Sequence, residues 1–256
     1  MTDEQPPLNT EPCPEVSPPP PEPEPYPFWG YSEVLLFAGL AIPCMLAGWA
    51  VVHGIFVLLH IPTKPAVLEL LPEQLLGYAL LFGCLAVILR IQYDKPFWQS
   101  LAWTDTRVPV SWITTSGLIC ALAVALLGSL IHTPTTANPM TELMKDRTSA
   151  ILMAIFGVTM APLSEELAFR GFLQPLLVRS LGAVPGILAT TIPFGLLHFH
   201  EYGNSWRHAV LIGLAGATFG WMRHATGSTK ASTVMHASYN ALIFFAVFSA
   251  GKNKDF

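Results

Sequence analysis

Three clusters of polar side chains stand out in this 256-residue chain, because each interrupts an otherwise apolar stretch and all lie beyond residue 145. The first, Ser164-Glu165-Glu166-Leu167-Ala168-Phe169-Arg170, follows the run ILMAIFGVTMAPL. On a helix Glu166 and Arg170, four apart, share a face and form a charge-assisted pair. Glu165 is turned about 100° away from Glu166. One carboxylate is thus neutralised and the other is left for chemistry. Pro162, just upstream, removes a backbone donor and predicts a kink at the level of the cluster. The second cluster runs from Phe194 to His200 and contains His198 and His200. Two apart, these imidazoles diverge on a helix, so His198, deeper by its position, is the functional candidate and His200 a rim residue. The third cluster, His236-Ala237-Ser238-Tyr239-Asn240, puts His236 and Asn240 on one helical stripe facing the interior.

Taken singly, each cluster also has a plainer reading: a helix end among headgroups, a solvated interfacial histidine, or polar glue between helices. Together they form an acid–base or metal site, and the chemistry they suit is peptide hydrolysis. Glu165 would serve as general base on a water, and His198 would fix or share that water, directly or through a metal. His236 and Asn240 would offer donors to the developing oxyanion.

The elements that must position these groups follow from composition. Hydrophobic residues make up 52% of the chain and charged residues only 12%, about half the usual share of a soluble domain. That excludes an ordinary soluble enzyme, a disordered regulator and a nucleic-acid binder. The fold class is all-α, a polytopic transmembrane helix bundle. Spans of about 20 apolar residues are expected near 33–61, 74–93, 111–132, 149–179, 184–200, 208–226 and 231–250. These make about seven, the fourth being long enough for its second half to run along the interface. Segment 94–110, with Trp98, Trp103 and mixed charge, reads as interfacial. Lysine and arginine divide six against six between the two faces, so they do not orient the bundle. Residues 1–28 hold 6 of the 17 acids and 11 of the 23 prolines with no Lys or Arg, and read as a disordered acidic tail. The expected division is therefore tail 1–28, N-terminal spans and interfacial segment 29–142, and a catalytic membrane domain 143–256. The four cysteines show no paired spacing and read as packing residues. Gly213, Gly216 and Gly220, and Gly182 with Gly186, are small-residue patterns for close helix approach. His53, His60, His132, His208 and His224 are expected at interfaces.

The Glu-Glu-x-x-x-Arg of Glu165, Glu166 and Arg170, the Phe-x-x-x-His of Phe194 and His198, and the His-x-x-x-Asn of His236 and Asn240 resemble the CPBP family. These are the CAAX proteases and bacteriocin-processing (Abi) enzymes that cleave peptides within membranes. Order and spacing both fit over roughly residues 145–250, with no departure at any motif position. The resemblance implies a bundle with a wet conical cavity and proteolysis by glutamate-activated water. It implies Glu165 and His198 as the water-activating pair, His236 and Asn240 as the oxyanion hole, and Glu166, Arg170 and Phe194 as support. Members are also described as metalloproteases, and Glu165, His198 and His236 could hold zinc with water as fourth ligand. The expected partners are a membrane-associated peptide substrate and the lipid bilayer, with no nucleic acid. The expected location is a bacterial plasma membrane. The alternatives are a non-proteolytic scaffold or immunity-type protein that keeps the motifs, and a proton-linked transporter. The intact catalytic set weighs against the first, and the lack of an inverted repeat against the second.

Overall fold

A computed structural model of the chain describes residues 25–134 and 139–251. The expectation of a disordered tail falls, over residues 1–24, outside the described residues. Its last four residues, 25–28, lie against the body. The Tyr26 hydroxyl donates to the Ser100 carbonyl at 3.1 Å, and Phe28 packs edge-on against Trp29.

All described secondary structure is helical. Helices α1 (Tyr31–Leu58) and α2 (Val67–Tyr93) form an antiparallel hairpin, followed by the short α3 (Phe97–Ser100), α4 (Val110–Leu130) and the short α5 (Pro139–Leu143). A compound rod comes next: α6 (Arg147–Val158), α7 (Met160–Glu166), a π-helical turn (Leu167–Leu173) and α8 (Gln174–Leu181). Helices α9 (Ala183–Leu197), α10 (Trp206–Thr226) and α11 (Thr229–Gly251) complete the bundle.

These bounds fall within a few residues of the expected spans except at the start of α2, which begins seven residues early. By length and composition, five rods among the described residues are long and apolar enough to cross a membrane: α1, α2, α4, the 35-residue rod Arg147–Leu181, and Thr229–Ala250 in α11. At 1.5 Å per residue α9 is only about 22 Å long, short of a core about 30 Å thick. Helix α10 is long enough but is not among the five that are also apolar enough. The protein is an integral membrane protein built as a helix bundle.

Close approach at small residues packs the rods. A Cβ on Gly48 of α1 would come within 2.7 Å of the Glu73 carbonyl and the Gly77 nitrogen of α2. One on Gly195 of α9 would stand 2.5 Å from the Ala209 carbonyl of α10. Gly186 likewise meets the Val178 backbone, whereas Gly182 has open space around it and a φ of +88°. Gly182 therefore serves the α8–α9 turn rather than helix contact, because only glycine adopts that backbone freely. Two cores result. Trp29, Leu85, Leu89, Leu101, Leu167 and Phe172 join the hairpin to the compound rod, and the Trp29 indole donates to the Phe172 carbonyl at 3.1 Å. Ile113, Cys120, Ala215, Phe219, Ala231 and Met235 join α4, α10 and α11.

Candidate active site

The compound rod breaks at Thr159 (φ −120°, ψ −77°), three residues before the expected kink at Pro162. The physics is the one expected. Pro162 has no N–H for the Val158 carbonyl and its ring crowds that carbonyl, so the helix parts one turn upstream of the proline. The last carbonyls of α6 lose their intrahelical donors there. One of them, Gly157, accepts a 2.6 Å hydrogen bond from the Asn240 Nδ2 of α11. Immediately after Glu166 the rod widens into the π turn, a distortion that recurs at functional sites.

Glu166 and Arg170 pair as their spacing predicts, with Oε1 and Nη1 3.0 Å apart, and both side chains are sealed from solvent. Two further contacts fix this pair. The Arg170 Nη2 donates to the Gly216 carbonyl of α10 at 2.7 Å, and its guanidinium lies 4.2 Å over the Phe194 ring. The approach depends on Gly216, where a Cβ would meet Phe194 at 2.6 Å and Arg170 at 2.8 Å. One turn on, Gln174 repeats the pattern, donating to the Gly220 carbonyl at 2.9 Å. The small-residue stripe on α10 thus presents carbonyls to two buried donors.

His236 enters from α11. Its Nδ1 lies 3.0 Å from the Glu166 Oε1, and its ring stacks on Phe219 with centroids 4.4 Å apart. An ionised carboxylate only accepts, so Nδ1 carries the proton and Nε2 of the neutral ring is a lone pair. That Nε2 faces the Glu165 Oε2 at 3.8 Å. His198, at the end of α9, faces the same oxygen with its Nε2 at 3.9 Å, and its Nδ1 is bonded to the Phe194 carbonyl at 2.9 Å. The carbonyl likewise fixes the proton on Nδ1 and leaves the His198 Nε2 as an acceptor. The Glu165 Oε2 is buried and has no hydrogen-bond partner among the described residues. Separations of 3.8 and 3.9 Å are too long for direct hydrogen bonds and suit a shared water. Glu165, Glu166, Arg170, Phe194, His198 and His236 thus converge on one locus. Asn240 stands one turn along α11 from His236, with one amide N–H committed to Gly157. His200 lies outside this set and is paired with Asn204 at 3.1 Å.

Zinc bonded tetrahedrally at about 2.0–2.1 Å brings its ligand atoms to about 3.4 Å from one another. The two pairs observed are wider, and among the described residues no group of three His, Cys, Asp or Glu is spaced to hold a metal ion. The donor types fit zinc, but their placement does not form its cradle.

Two neighbours escaped the sequence reading. The charges of Glu165 and Glu201 reach the Tyr78 phenol of α2, whose ring lies parallel to Phe156 with centroids 6.4 Å apart. Glu201 lies in the loop after α9. The surrounding protein raises its carboxyl above the usual range, with His198 opposing and Glu165 adding to the rise. Burial pushes the adjacent Tyr202 up to about 12. A tyrosine hydroxyl in an apolar helix and a carboxylate three residues past His198 were the available signals.

The class that the fold defines is an integral membrane protein, with a carboxylate facing two imidazoles inside its helix bundle. Residues 147–242 match the family model described as type II CAAX prenyl endopeptidase Rce1-like, and this match supports a CAAX-type (CPBP) intramembrane protease family. No curated protein and no solved structure matches the chain.

Proposed function

We propose that the protein is an intramembrane endopeptidase that hydrolyses a peptide bond in a membrane-associated substrate with a water activated by Glu165 and His198. The observation that carries this reading is the buried Glu165 Oε2 between two imidazole Nε2 atoms at 3.8 and 3.9 Å. A water there donates one hydrogen to the Glu165 carboxylate and the other to the lone pair of His198, leaving its own lone pair for the substrate carbonyl. As the C–O bond forms, Glu165 takes the proton. As the C–N bond breaks, it passes that proton to the departing amine. Asn240 has one amide N–H left to donate to the oxyanion, and His236, anchored through Nδ1–H on Glu166, joins it from Nε2 once that nitrogen has taken up a proton from solvent. No step runs through a metal. Resemblance to the bacteriocin-processing enzymes supports a bacterial plasma membrane as the location.

Glu165→Gln and His198→Ala, purified in detergent and assayed on a quenched peptide library, are expected to lose at least a hundredfold in cleavage while melting like the wild type. Wild-type cleavage in both variants would overturn the assignment. Elemental analysis is expected to find less than one zinc per chain, with cleavage unchanged by a chelator. Stoichiometric zinc with chelator-sensitive turnover would instead restore the zinc set Glu165, His198 and His236.

A further inference from the structure

A second cluster of charge lies far from this site. A cavity of about 260 Å³ opens where the N-terminal residues cross the C-terminal ends of α8 and α10, and Tyr26, Gln174, Arg179, Arg223 and His224 are among its lining. Helix α9 starts at this end and carries His198 about 22 Å away along its axis, so the two sites are separate.

The charges around this cavity do not balance. Two guanidiniums and an imidazole line it, and among the described residues no carboxylate does. Arg90, Lys145, Arg170 and Lys230 each meet a carboxylate. Among the described residues Arg179 and Arg223 meet none. Arg179 donates to the Pro27 and Trp29 carbonyls, and Arg223 donates to the Thr229 hydroxyl at 3.0 Å and the Tyr26 hydroxyl at 3.1 Å. All four acceptors are neutral, since burial raises the Tyr26 phenol and its O–H donates to Ser100. Arg223 is only 7% exposed, and a buried charge without a counter-charge is costly. These contacts leave the Arg223 Nη1 and the Arg179 Nε uncommitted. Planar guanidinium forks match phosphate oxygens. The level is that of a headgroup region: helix ends, with Tyr26 and the half-exposed Trp98 on the interfacial segment nearby.

We propose that this cavity binds a phosphate group, supplied by the headgroup of an anionic phospholipid in the leaflet at this end of the bundle. The phosphate completes the charge of Arg179 and Arg223, the same two side chains that strap residues 26–29 to the bundle. The lipid therefore locks the N-terminal strap in place.

The test uses full-length protein in neutral detergent. Native mass spectrometry should retain one phosphatidylglycerol and no phosphatidylcholine, and phosphatidylglycerol should raise the melting temperature by several degrees. Because Arg223 also ties Thr229, the informative variants are Arg179→Gln and His224→Glu. The second sets a carboxylate at the cavity from an exposed position and leaves both arginines intact. Each should weaken phosphatidylglycerol retention at least tenfold. Equal retention of the two lipids, or variants that bind like the wild type, would overturn the proposal. A melting shift produced by millimolar inorganic phosphate but not by phosphatidylglycerol would keep the phosphate site and overturn its lipid source. If phosphatidylglycerol binds only after Glu22→Gln and Glu24→Gln are introduced together, the chain's own acidic segment is the occupant and the lipid is not.

Discussion

The α1–α2 hairpin and the bundle built from residues 147–251 are both apolar helices, yet they treat their polar groups in opposite ways. In the hairpin, His53 and Glu69 pair at 2.6 Å with the histidine side chain 47% exposed, and the half-exposed Trp49 stacks on the imidazole. In the bundle, Glu166 and Arg170 are sealed and bonded to His236, the Gly216 carbonyl and the Phe194 face. An exposed pair can exchange its partner for water, whereas a buried one cannot. The difference teaches where chemistry is being held. Neighbouring Glu165 is left without a hydrogen bond at Oε2 among the described residues, with only the two imidazole Nε2 atoms facing it.

The contrast is tested most severely by removing one partner from each pair. Arg170→Ala leaves the Glu166 carboxylate buried with only His236, and should cost about 3–5 kcal/mol, enough to lose most folded protein on size exclusion in detergent. His53→Ala should cost less than about 1 kcal/mol and leave peptide cleavage at the wild-type rate. Similar melting losses in the two variants would erase the distinction between the regions.

Glycine substitution sharpens the same point more gently. A Cβ at Gly216 meets Phe194 and Arg170, both of which are pinned, so Gly216→Ala should destabilise by about 1–3 kcal/mol and lower cleavage by displacing the guanidinium under Glu166. Gly39 in α1 has nothing within 4 Å of the added atom. Gly39→Ala should therefore melt at or slightly above the wild-type temperature, since alanine is the better helix former.

Physical terms also explain why this network was only partly legible in the sequence. The Glu166–Arg170 pair is local and obeys the helical period, so four-residue spacing was sufficient. His198 and His236 were legible as imidazoles out of place in apolar stretches. The His236 bond to Glu166 spans 70 residues of chain, and no local spacing encodes it. Asn240 was read as an oxyanion donor from its stripe, but its bond to Gly157 depends on a backbone carbonyl released by Pro162, and a carbonyl carries no residue-type signal. The π turn, the Gln174–Gly220 bond and the packing of Tyr26 and Phe28 are of the same kind.

The smallest effect is expected in the loops at the two ends of the bundle, where a pair of carboxylates should show opposite pH slopes. Glu201, at the end where His198 lies, is raised chiefly by burial. A raised carboxyl holds its proton in the folded state longer than in the unfolded one, so its contribution is intact below the unfolded pKa and is lost as pH rises through the folded one. Glu201→Gln should thus melt like the wild type in acid and slightly higher at neutral pH. Asp105, at the opposite end, is lowered by the hydrogen bond and charge of Lys230, whose ammonium lies 2.6 Å away. Its contribution is present above the unfolded pKa and is lost as pH falls through the folded one. Asp105→Asn should therefore melt slightly lower at neutral pH and match the wild type in acid. The two differences from wild type should carry opposite signs at neutral pH and both vanish in acid. A shared sign would mean that the loop bearing Glu201 is as open to water as the one bearing Asp105, and that the protein around His198 does not wall the site from solvent.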